Sequence, residues 1–177
     1  MNCYSGKDLA RAFRTVRENT IKIAEEIPES KLDFAAAPGA RTVRQLLTHI
    51  AFSDSFSSIH REKRTNFEGV NFPAFMAQMQ AEEAKPRTKA ELIALLKARG
   101  EETATWLESL ADDFLGEPFT QPRDTPATKS RFEMIMSMKE HEMHHRGQLM
   151  LIERMLGITP HLTRAMQERF AAAQARS

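Results

Sequence analysis

Residues 130–157 read SRFEMIMSMKEHEMHHRGQLMLIERMLG, and this stretch decides the fold. Ser130 followed three residues later by Glu133 is a capping box, so a helix starts here. Gly157 stands where such a helix ends in a left-handed turn. At 100° per residue, Met134, Met138, His141, His145, Ile152 and Leu156 share a sector of roughly 60°, with Leu149 beside it. That is the core-facing stripe of a long helix, interrupted by two imidazoles one turn apart. His144 lies at its margin. Phe132, Met136, Met143 and Met150 cluster within about 40° near the opposite side, and a helix apolar on two sides needs two partners.

The rest of the chain supplies them. Thr88 with Glu91 boxes a helix that ends near Leu110, and Thr42 with Gln45 boxes one that runs to Arg64. A first helix spans Lys7 to Ile27, with Leu9, Phe13, Val16, Ile23 and Ile27 near helical spacing, and Pro28 stops it. Pro160 opens a short C-terminal helix through Ala173. Residues 65–87 are mixed, with an amphipathic piece from Phe75 to Glu83 and a break at Pro86. Pro118, Pro122 and Pro126 make Gly116 to Thr128 a loop. The expected fold is all-α: one four-helix bundle over residues 1–177 with a short C-terminal helix, in an up-down order or with crossovers.

Composition agrees with this reading and removes several others. The 177 residues are 41 % hydrophobic and 28 % charged, with seven Gly and ten Met, which is ordinary for a globular chain of this size. Lys and Arg number 25 against 24 Asp and Glu, a net charge of +1. Such a balance gives no bulk attraction for nucleic acid or an anionic membrane. Cys3 is the one cysteine, so no internal disulfide forms. No window approaches the apolar run of about 18 residues that a membrane span needs, and the N-terminus lacks an apolar signal region. The expectation is a cytoplasmic protein with neither nucleic acid nor membrane as partner.

The histidines carry the chemistry. His141 and His145 lie ~40° apart inside the apolar stripe, where two neutral rings can chelate Zn, Ni or Fe. A third ligand must come from another helix, and His49 is the best placed, mid-helix on the face it shares with Phe56. His60 shares that face but sits about 16 Å further along, too far for the same ion. Three His on facing helices make a tripod with open coordination positions, the mark of a working site. Against this stands the plainer possibility of two hydrogen-bonded core histidines.

A second motif overlaps the pair. His141-Glu142-Met143-His144-His145 also matches H-E-x-x-H, in which Glu142 is the general base of a zinc protease. Glu168 could then be a downstream ligand. No sheet edge that could hold a peptide is foreseen, which weighs against it.

Two blocks, residues 27–51 (IPESKLDFAAAPGARTVRQLLTHIA) and 141–149 (HEMHHRGQL), resemble the DinB-like family. The resemblance runs from the first helix to about Pro160. It implies a four-helix bundle with a three-His divalent metal site at His49, His141 and His145. It also implies a metal-dependent S-transferase acting with a low-molecular-weight thiol on a small electrophile, or a related hydrolase or isomerase. The alternative is a non-catalytic metal-binding or stress-related scaffold. Arg146 reads as structural. Loop residues such as Arg64, Asn66, Arg123 and Asp124 are candidates for a substrate pocket. The resemblance favours a homodimer through the Met-rich second face; packing of that face against Leu162, Ala165, Met166 and Phe170 within the chain is the alternative.

Overall fold

The computed structural model describes residues 4–121 and 128–176. In chain order its elements are α1 (Gly6–Glu26), α2 (Val43–Ala51), α3 (Ser57–Arg61), α4 (Phe72–Ala84), α5 (Lys89–Glu108) and α6 (Asp112–Gly116). The strands β1 (Pro118–Thr120) and β2 (Thr128–Ser130), then α7 (Arg131–Met155) and α8 (His161–Gln174), complete it. The fold is an all-α four-helix bundle of α1, α2, α5 and α7, with α8 as the short C-terminal helix. All four bundle helices begin with a capping box, at Ser5, Thr42, Thr88 and Ser130. The box at Ser5 uses Asp8 in place of Glu or Gln, and the sequence reading passed over it.

Helix α1 packs on α5 and α7, and so does α2. Consecutive helices α1 and α2 therefore face each other across the bundle diagonal, as do α5 and α7. The connection over residues 27–42 makes the first crossing. It is pinned where Arg44 and Val43 donate backbone N–H bonds to Leu32 and Phe34.

The core is two apolar clusters with a polar layer between them. One joins Ile23, Ile27, Leu47, Ile50, Leu92, Leu96, Leu149 and Ile152. The other joins Leu9, Phe13, Leu107, Leu115, Ile135 and Met138. Between them Arg17 Nε donates to both oxygens of Glu142, at 2.9 and 3.0 Å, and Thr20 Oγ1 donates to Oε1 at 2.8 Å. The Arg17 guanidinium also donates to the Leu96 and Ile50 carbonyls. Gly100 makes room for it: a Cβ there would lie 2.7 Å from Arg17 Cγ.

Three expectations are corrected. The second helix does not reach Arg64: α2 stops at Ala51, and a 3₁₀ turn, Ser53–Phe56, leads into α3. A Ser side chain competes for the backbone here, and an Asp turns into the core. Ser53 Oγ donates to the Ile50 carbonyl, while buried Asp54 is held by Arg99 at 2.8 Å and Thr103 at 2.6 Å. The mixed segment holds a full helix, α4, begun by Asn71 capping Ala74. The stretch expected as loop contains β1, antiparallel to β2. Pro118 fits because it opens a two-stranded ribbon. Residues 122–127, with candidates Arg123 and Asp124, lie outside the described residues.

The Met-rich second face is only partly covered within the chain. Phe132 packs edge-on against Tyr4 at 5.4 Å, and Met150 against the first cluster. Helix α8 lies on α1 and buries none of its residues; Met166 and Phe170 are 54 % and 65 % exposed. Among the described residues no helix is long and apolar enough to cross a membrane.

Candidate metal centre

Helix α2 brings His49, and α7 brings His141 and His145, so that ring nitrogens of all three lie within 4.8 Å of one another. His141 Nε2 is 3.2 Å from His49 Nε2 and 3.1 Å from His145 Nε2. His144 is exposed and pairs with Gln148 instead. The i, i+4 spacing and the wheel position of His49 are what the sequence showed.

The remaining ring nitrogens fix the protons. His49 Nδ1 is 2.8 Å from Glu83 Oε1, and His145 Nδ1 is 2.8 Å from Gln148 Oε1. Both partner oxygens are acceptors, so both Nδ1 atoms donate, and both Nε2 atoms present lone pairs. His141 can give a proton to one of them at most. If its proton sits on Nδ1 instead, that buried atom has no partner. Either tautomer leaves a buried polar atom unmatched, which a cation taking three lone pairs resolves. Nitrogens bound to one tetrahedral zinc stand roughly 3.3 Å apart, close to the two spacings found here. The residues therefore fit a divalent ion, and the Nδ1 partners are the outer contacts that orient ligand histidines.

Electrostatics keep the rings neutral. Burial lowers the pKa of His49 and His145 below the ordinary histidine value. Burial first, and then the other imidazoles, push His141 down to about 4. Arg41 Nε donates to the second oxygen of Glu83 at 2.8 Å. Neither Glu83 nor Arg41 was singled out from sequence, because their helix and loop carry no marker of the site. Gln148 had one, its i+3 spacing from His145.

Glu142 is not a base at this site. It is fully buried and committed to Arg17 and Thr20 on the inner side of α7. Glu168 is exposed on α8. The H-E-x-x-H reading thus loses both carboxylates. His60 stays outside the trio, as expected; it lies against Phe119 at 4.9 Å.

Two of the three, His49 and His141, line a cavity of about 460 Å³, and His145 stands behind them. Its walls come from the 3₁₀ turn, α3, α4 and α7. Phe52, Phe56, Phe75, Met76, Met79, Met134 and Met138 make it apolar, while Arg41, Gln80, Ser137 and His60 add polar points. Arg64 and Asn66, expected near the pocket, do not line it. Arg64 and the neighbouring Lys63 instead give their carbonyls to the buried Arg131 guanidinium.

The comparisons bear on the fold and the family. YfiT from Bacillus subtilis, described as a probable metal-dependent hydrolase with an unusual four-helix bundle topology, superposes with a TM-score of 0.66 at 20 % identity. The match covers 90 % of this chain and 91 % of that one. A DinB-like protein of the same organism gives 0.63 at 22 %, over 85 % and 92 % of the two chains. The colibactin self-resistance protein ClbS, solved in complex with a dsDNA, gives 0.57 at 18 %, over 82 % and 94 %. At these identities the likeness is one of fold. No curated protein sequence matches the chain. The sequence profile of the DinB superfamily covers residues 12–149, a span that takes in all three clustered histidines and most of the bundle. With the expected bundle in place, the chain belongs to the DinB superfamily.

Proposed function

We propose that this protein is a metal-dependent enzyme that uses an activated thiol or water against a small electrophile. His49, His141 and His145 hold the divalent ion, Zn, Ni or Fe by donor chemistry. The observation that carries this reading is a cluster of three imidazoles, two of which, His49 and His141, stand in the wall of an apolar cavity. A purely structural site would be closed on every side. When bound, such an ion lowers the pKa of a coordinated thiol or water into the neutral range.

The protein's own residues do the rest. Glu83 and Gln148 accept hydrogen bonds from the Nδ1–H groups of His49 and His145 and fix both rings. Arg41 holds Glu83 in place from its other oxygen. The phenylalanine and methionine walls exclude water and seat an apolar substrate. The apolar cavity is what favours catalysis over the scaffold alternative.

The test is elemental analysis beside turnover of an activated ester and of a haloarene with a thiol. One ion per chain, absent in His145→Ala, with turnover that follows the ion, is the expected result. Thiol-dependent loss of the haloarene selects the transferase, and ester cleavage without thiol selects the hydrolase. Absence of metal after reconstitution overturns the reading. The reading also includes a homodimer on the exposed apolar surface of α7 and α8, where Met143, Leu151, Met166 and Phe170 are open. Because one structural relative binds dsDNA, the expectation of no nucleic-acid partner is not carried forward; duplex-DNA titration at low salt decides it.

A further inference from the structure

The cavity has a second polar end. Along α7, Met134, Ser137 and Met138 lead from His141 back toward Arg131, whose backbone lies about 15 Å before that of His141. Around this far end Phe56, Phe72, Phe67 and Phe119 form a chain of ring contacts, at 6.3, 5.6 and 5.0 Å, that ends on His60. His60 lines the same cavity as His49 and His141.

The tautomer of His60 follows from its neighbour. Its Nδ1 is 3.4 Å from Arg131 Nη1. A guanidinium only donates, so Nδ1 accepts and the proton of the neutral ring sits on Nε2. Burial, and then the charge of Arg131, hold the ring's pKa down to about 4, which keeps it neutral. With Nδ1 facing Arg131, the Nε2 side is the ring's donor, and the ring lines the cavity. The cavity therefore has two of the three clustered imidazoles, His49 and His141, at one end, apolar walls between, and the His60 N–H donor at the other.

We propose that the cavity takes an elongated, mostly apolar small molecule bearing a hydrogen-bond acceptor at the end remote from the three histidines, and that His60 selects for that acceptor. The volume is that of an ordinary small-molecule site, where a few placed polar groups set specificity within apolar walls. An apolar molecule that fills the cavity displaces water from this N–H without replacing the bond, so an acceptor-bearing molecule is preferred over its hydrocarbon analogue. His60 is a specificity residue here and touches no reacting atom. The proposal rests on the metal-enzyme reading for which end of the molecule reacts.

Calorimetry on the zinc-loaded protein separates the two. The probes are acetohydroxamic acid, an eight-carbon alkyl hydroxamic acid, and the same chain ending in a methyl ketone. Acetohydroxamic acid should bind wild type and not His145→Ala; failure there overturns the metal reading and the proposal with it. The alkyl chain should then add at least tenfold in affinity, and the ketone about fivefold more, the size of one neutral hydrogen bond. In His60→Phe, which keeps the ring against Phe119, the ketone advantage should vanish while the alkyl gain remains. A chain that adds nothing, or a ketone advantage unchanged in His60→Phe, overturns the proposal and leaves the metal reading standing. Met76→Trp, at a half-exposed wall position, fills the cavity without touching the core. It should cut the alkyl gain and leave acetohydroxamic acid binding intact; an undiminished gain overturns the assignment of the cavity.

Discussion

Substituting Glu142 by Gln separates the two readings of the histidine motif. In a zinc protease that change removes the general base and leaves the fold alone. In this structure it removes the charge that faces Arg17 in the middle of the core. Glu142 is fully buried, takes two bonds from Arg17 Nε and takes a third from Thr20. Taking one partner from a buried ion pair costs about 3–5 kcal/mol. Arg17 keeps the Leu96 and Ile50 carbonyls, and Gln keeps one acceptor, so the loss belongs at the lower end, about 3 kcal/mol. At about 2–4 °C per kcal/mol for a domain of this length, Tm should fall by roughly 6–12 °C. Urea unfolding should give the same loss without a change of slope. Metal content at a temperature where the variant is folded should equal that of wild type. The double variant Arg17→Met with Glu142→Leu removes both charges together and should recover to within about 1 kcal/mol of wild type. An unaltered Tm with abolished activity in Glu142→Gln would refute this reasoning and restore the base.

Other outcomes follow from the same contacts. Glu83→Gln removes the carboxylate from His49 Nδ1 and should weaken zinc binding about 10- to 100-fold in competition with a chelator, with Tm of the metal-free protein little changed. Gly100→Ala improves helix propensity but places a Cβ 2.7 Å from buried Arg17 Cγ; calorimetry should show a net loss of about 1–3 kcal/mol. Glu153 is buried, and burial followed by the charge of Glu26 raises its carboxyl from 4.5 to about 7. The folded state then holds this proton more tightly than the unfolded chain, so stability falls as pH rises from about 4.5 to 7. Glu153→Gln should flatten that slope and gain roughly 1–3 kcal/mol at pH 8, read by Tm across the pH series. Light scattering at micromolar concentration should give the mass of a dimer, and Phe170→Glu should halve it.

The parts of the fold legible from sequence are those set by local chemistry. Capping boxes at Thr42, Thr88 and Ser130 gave three helix starts to the residue. The helical wheel placed His141 and His145 on a buried face and brought His49 to them. What escaped depended on partners distant in the chain. The buried sector of α7 is wider than its apolar stripe, because Arg131, Glu142 and Glu153 lie inside it. A hydrophobic pattern scores each of these as solvent-facing, and only the neutralising contact explains the burial. The end of α2 at Ala51 was hidden for a similar reason: Asp54 turns inward to Arg99 and Thr103, residues on another helix. Glu83 carries no marker because its value to the site exists only once α4 has docked on α2.

That docking has a thermodynamic consequence. Helix α4 carries both a wall of the cavity, through Phe75, Met76 and Met79, and the carboxylate that steadies His49. It buries only Met79 and packs on α2 alone among the bundle helices to any extent. Any ligand that draws α4 inward therefore also favours the Glu83–His49 bond, and by linkage the ion must favour the ligand by the same factor. On the proposed reading, cavity occupancy and metal retention become two readings of one equilibrium, and an ion would be held most firmly with a molecule beside it.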